Sequence, residues 1–67
     1  MTTLTSVIHA TSKADLEQQL DRAVALALTK ATEQRQGILV TRHSHIRFSV
    51  AVSSEVPYGE THERDAA

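Results

Sequence analysis

Ile38-Leu39-Val40-Thr41-Arg42, His43-Ser44-His45 and Ile46-Arg47-Phe48-Ser49-Val50-Ala51-Val52-Ser53 form the stretch on which the fold turns. Its second half alternates, with Ile46, Phe48, Val50 and Val52 on one face and Arg47, Ser49, Ala51 and Ser53 on the other, the two-residue period of a strand buried on one side. Its first half is a short branched apolar run, so the whole reads as a β-hairpin. A three-residue loop at 43–45 sets Val40 opposite Phe48 and Ile38 opposite Val50, like against like. A two-residue loop sets the same residues against Arg47 and Ser49, so the register argument favours three.

Upstream, Ser12 and Asp15 supply a helix start: a hydroxyl to cap the first free amides, and a carboxylate three residues on at the positive end of the dipole. The helix is predicted over 13–36. Gly37 is placed just beyond it, where the chain commonly turns left-handed, with Lys30 and Arg35 near its negative end. At about 100° per residue, Leu16, Leu20, Ala23, Val24, Ala27 and Ala31 share one stripe. Leu26 lies roughly 120° from the centre of that stripe, with Ala25 further round and Thr29 beside them, so the helix is apolar on a side that one sheet cannot cover. Before it, Thr3–Ala10 is rich in Thr and branched residues and reads as a first strand, Leu4 and Ile8 on one face and Val7 on the other.

After the hairpin, Ser54–Gly59 is a turn, with Pro57 suited to its second position and Gly59 to its fourth. Residues 60–67 read as a flexible acidic tail behind a domain of 1–59. The order is therefore β-α-β-β. A helical crossover makes the first two strands parallel and the hairpin reverses the third, which gives an α+β domain: one long helix packed on a three-stranded antiparallel sheet of order 1-3-2. The far face of that sheet, with Leu39, Thr41, Arg47, Ser49 and Ala51, is expected to be wet or to meet another subunit. This order and length resemble those of the dodecins, small flavin-binding proteins in which three strands wrap one helix. The resemblance is one of topology alone. The dodecin flavin stacks on a Trp, and this chain has none, so no function or residue is carried over and no cofactor is expected.

With 67 residues, 7 basic and 8 acidic groups, a net charge of −1 and no Cys, the chain has room for one domain, no disulfide and no thiolate chemistry. Nine of its apolar residues are Ala and only Phe48 and Tyr58 are aromatic, so the core is thin and self-association is the simplest supplement. Neither a basic leader followed by an apolar run nor a stretch of about 18 apolar residues occurs, so a cytoplasmic protein without membrane contact is expected.

Arg35, Arg42 and Arg47 fall in a stretch of 35–50 that contains no acid. The hairpin tip, Arg42, His43, His45 and Arg47, is thus a candidate partner-binding surface, and Tyr58 on its turn is a second. His43 and His45 also stand two residues apart, as metal ligands on one strand do, but the further ligands (His9, His62, Glu60 or Glu63) are not placed by the sequence. No nucleophile elbow, phosphate-cradling loop or carboxylate pair is present, so no catalytic or metal residue is assigned. The sequence points to a non-enzymatic, self-associating protein that acts through protein–protein contacts, with Ala25, Leu26 and Thr29 as its oligomer interface. Nucleic-acid binding through the basic hairpin is the alternative, and a small-molecule or metal site between subunits a second one.

Overall fold

A computed structural model describes residues 2–66, leaving Met1 and Ala67 outside. The elements are β1 (Thr2–His9), α1 (Lys13–Gln34), β2 (Gly37–Ser44), β3 (Arg47–Ser53) and β4 (Thr61–Asp65). The α+β architecture is as expected, with α1 on one face of the sheet. The strand count is not: the sheet has four strands in the order β1-β3-β2-β4, and β4 runs parallel to β2, which makes it mixed rather than wholly antiparallel. β4 lies inside the segment read as a solvated tail. Its sequence, Thr-His-Glu-Arg-Asp, has no apolar side chain and all five residues are exposed, so no alternation announces it. Main-chain bonds hold it instead, from the Ile38 amide to the Glu60 carbonyl (3.0 Å) and from the Ala66 amide to the Arg42 carbonyl (2.9 Å).

The helix begins as its sequence dictates. Ser12 is extended (φ −157°, ψ 170°) and its hydroxyl accepts the Asp15 amide at 3.2 Å. The Asp15 carboxylate accepts from the Thr11 amide (3.0 Å) and from the Gln19 side chain (2.8 Å), so the capping box closes on Thr11 rather than on Ser12. The helix ends two residues before its predicted limit. Arg35, not Gly37, takes the left-handed conformation (φ 54°, ψ 46°). Its amide reaches the Thr32 carbonyl and the Gln36 amide reaches that of Ala31 (3.0 Å), the paired bonds that close a helix end in this way. Lys30 falls short of the last turn, which holds no basic residue.

The predicted stripe is the one that is buried. Ala23, Ala27 and Ala31 lie against Ile8, Ile38, Val40, Val50 and Val52, with Leu16, Leu20, Val24 and Phe48 packed at the margins. In the hairpin, the register differs from the expected one by two residues: Val40 faces Val50 and Ile38 faces Val52. The loop contains only His45 and Ile46, and a bulge at His43 absorbs the remaining residue. A slip of two leaves every side chain on its own face, which is why the face assignment survives the wrong loop length. A second bulge, at Thr5 between Leu4 and Ser6, does change a face. Leu4 now sits opposite Ala51, on the same side as Val7 and away from Ile8, and the Thr5 hydroxyl bonds the Val50 carbonyl at 2.9 Å.

Gly37 has a different task from the one its position suggested. It lies opposite Ser53, on the face of Leu39 and Ala51, and a Cβ there would run into Val56, its Cβ 2.7 Å away, and come 2.5 Å from the Pro57 carbonyl oxygen. The 54–60 segment thus crosses over β2 where β2 has no side chain. Val56 covers this end of the outer face, and Ser53, Ala51 and Leu39 are buried there, so that face is not uniformly wet. Two turns shape the crossing. The Val56 amide bonds the Ser53 carbonyl (3.2 Å) and the Glu60 amide that of Pro57 (3.1 Å), which puts Pro57 first and Gly59 third, at φ 88°, in the second turn.

Gly37→Ala is expected to cost roughly 1–3 kcal/mol, because a backbone carbonyl cannot yield as a side-chain tip can. Arg35→Gly should add about 1 kcal/mol by removing the left-handed penalty of a side chain. Urea denaturation of the two variants beside the parent protein checks both signs.

Candidate interaction surfaces

The hairpin tip does not form one patch. Arg42 lies opposite Phe48, on the helix side of the sheet, where its guanidinium stands 3.4 Å from the Asp65 carboxylate of β4. Arg47 lies opposite Ser44 and His9, on the outer face. His43, the bulge residue, joins it there: its ring nitrogen is 3.0 Å from the Ser49 hydroxyl. His43, Arg47 and Ser49 line a depression of about 440 Å³ with Leu4 and Val7, and His45 stands exposed in the turn. The separation of Arg42 from Arg47 follows from strand alternation in this register and equally in the one expected from sequence.

Tyr58 is carried by the Pro57–Glu60 turn to the C-terminal end of the helix and is 57% exposed. With Leu28, itself 57% exposed, it flanks a groove of about 180 Å³ whose other walls include Ala31, Gln36 and Ile38. The Gln36 side-chain oxygen is buried there with no hydrogen-bond partner among the described residues. The ring therefore borders the groove and remains in contact with solvent.

Ala25, Leu26 and Thr29 are all exposed, as the helical wheel requires. The structure adds what lies beside them. The strand order makes β1 an edge of the sheet, and Leu26 (63% exposed) shares a groove of about 370 Å³ with Val7 (61% exposed) of that edge. Asp15, Gln19 and Arg22 complete the helix flank of this groove. Leu4, 60% exposed, extends the apolar surface beside Val7 on the outer face. Sequence reasoning assigned neither Leu4 nor Val7 to a surface. The available signal was the run from Thr2 to Ser12, free of Lys, Arg, Asp and Glu, on a strand that the expected order 1-3-2 already set at an edge; the bulge that brings Leu4 beside Val7 left no such signal.

β4 forms the opposite edge and separates its charges. Its register with β2 places His62 beside Leu39 and Arg64 beside Thr41 on the outer face, and Glu63 and Asp65 on the helix side. His62 pairs with Glu60 at 2.8 Å, and Arg64 lies 3.9 Å from Glu55. Among the described residues no group of three or more His, Cys, Asp or Glu is placed to hold a metal ion, and no helix is long and apolar enough to cross a membrane. Compared with known proteins, the chain matches no family model, no curated protein and no solved structure, and its fourth strand departs from the three-stranded order likened to the dodecins.

The backbone amide of Thr11 and then the Gln19 amide hold the Asp15 carboxyl below its ordinary value, against an opposing effect of desolvation and with a lesser contribution from the Thr11 hydroxyl. A lowered folded-state value stabilises the protein above the unfolded pKa of about 3.9, and that contribution is lost as pH falls through the lowered one. Asp15→Asn is thus expected to lower Tm at pH 7 and to flatten the fall of Tm below about pH 4, measured by thermal melts across pH.

Proposed function

We propose that this chain is a small non-enzymatic binding protein that works self-associated and acts through protein–protein contacts. The observation that carries this reading is the disposition of its large apolar side chains. Leu4, Val7, Leu26, Leu28 and Tyr58 stay 57–63% exposed on a chain whose buried helix positions are all Ala. The burial each still forgoes would be worth on the order of 1 kcal/mol or more. They also fall into two places. Leu4, Val7 and Leu26 border β1 and serve the oligomer, whereas Leu28 and Tyr58 flank the groove at the helix end and serve the partner. Tyr suits such a role, because it offers a large rigid surface with few rotors to freeze.

A second reading has one observation in its favour. The outer face gathers His9, His43, Arg47, His62 and Arg64, while the carboxylates of β4 turn to the other side. Such a face suits a polyanion, and nucleic acid is the alternative. Against it stand the net charge of −1, the ion pairs that already engage Arg42 and Arg64, and the absence of a stacking aromatic on that face.

Light scattering across a concentration range is expected to give a multiple of 7.3 kDa, with Leu26→Asp shifting the protein to monomer. A parent protein of monomer mass at every concentration would sink self-association. Tyr58→Ala should leave the mass unchanged and weaken a captured partner by about 1 kcal/mol or more, nearly independently of salt. A polyanion complex would instead weaken steeply with salt and with Arg47→Ala.

A further inference from the structure

We infer that a second copy of this chain adds to the sheet at β1, strand against strand and antiparallel about a two-fold axis near Val7, giving one continuous sheet of eight strands. This rests on the self-association proposed above and specifies its geometry. The first ground is the main chain. The Ala10 amide bonds the Ile46 carbonyl at 2.8 Å, in step with the pairs Ile8–Phe48 and Ser6–Val50. Antiparallel ladders alternate, so the amides and carbonyls of Val7 and His9 face away from β3, out of the sheet edge. These donors and acceptors lie in the plane where a further strand would pair.

The second ground is that this edge lacks the protection its counterpart has. Edge strands are ordinarily blunted by charge, Pro or shortness. β4 is short and carries Glu63, Arg64 and Asp65. β1 is eight residues long and has no Lys, Arg, Asp, Glu or Pro, and the next charge in the chain is Lys13. The bulge at Thr5 is its sole irregularity, and beyond it Ser6–His9 keep an unbroken register.

The third ground selects a second copy over an unrelated strand. A two-fold axis brings a strand against itself, which is unfavourable wherever like charges meet; β1 has no Lys, Arg, Asp or Glu, and an axis at Val7 sets His9 opposite Thr5 rather than opposite itself. The helix flank above it is balanced as well. Asp15 and Arg22 border the same groove as Val7 and Leu26, so the flank of one copy offers its counterpart one acid, one base and one leucine. Antiparallel pairing about a two-fold axis would leave the two helices on the same face of the sheet, with an interval between them above the junction. Long side chains such as Arg22 and Leu26 are suited to fill that interval.

The test joins mass to backbone protection. In the parent protein, a dimer should form whose Val7 and His9 amides exchange with deuterium on the order of 100-fold slower than in a dissociated sample. Val7→Lys, which puts two ammonium groups near the axis, should raise the dimer dissociation constant on the order of 100-fold. Val7→Pro removes the outward donor without taking a bond from β3 and should act in the same direction. Glu63→Ala, on the opposite edge, should change nothing. A dimer in which the Val7 and His9 amides exchange freely, or in which both Val7 variants keep the parent mass, would overturn strand pairing and leave self-association standing. A parent protein that is monomeric throughout would overturn both.

Discussion

The close crossing of the chain over Gly37 is the constraint on which the rest of the sheet depends. β3 ends beside the start of β2, and β4 must reach the far side of β2, so the connection has to pass over β2 itself. Val56 and the Pro57 carbonyl occupy the space where a side chain at 37 would stand. The Gly37 amide then bonds the Val56 carbonyl at 2.8 Å, which fixes the crossing, and the Pro57–Glu60 turn delivers the chain to the edge of β2. One glycine thereby lets β4 close one side of the sheet, and β1 forms the other edge.

The helix sets the second constraint. Its buried positions are Ala23, Ala27 and Ala31, side chains small enough to bring the helix close to the sheet but with little apolar area of their own. Val50 and Val52 are fully buried beneath it, and the larger Leu16, Leu20, Val24 and Phe48 lie at the margins. A layer so thin gives limited stability, and apolar area placed outside it, on Leu26 and along β1, has its greatest value when a second molecule covers it. Function and stability are therefore linked: the surface proposed to assemble the protein also completes its burial.

Much of this was legible in the residues. Ser12 and Asp15 mark where the helix starts, the stripe from Leu16 to Ala31 marks its buried side, and Leu26 stands apart from that stripe on the wheel alone. The hairpin faces were legible too, since alternation survives an error of two in the loop. What escaped was governed by the main chain. β4 leaves no side-chain trace because both its faces are wet, and the bulge at Thr5, which moves Leu4 to the outer face, arises in the pairing with β3. Arg35 takes the left-handed helix end although Gly37 stands two residues away, because Gly37 is needed for the crossing.

By itself, then, the sequence determined the periodic features: helix, hairpin, buried stripe and the shortage of core, all of which follow from the spacing and size of apolar side chains. The order 1-3-2 also followed from the sequence; tertiary structure alone added β4 beside β2 and set the bulges, and these decide which side chains flank the edge used in the proposed self-association. Where β4 pairs and where the strands bulge depend on which neighbours the main chain finds, and side-chain pattern is silent on that point because a backbone amide is the same group in every residue but proline.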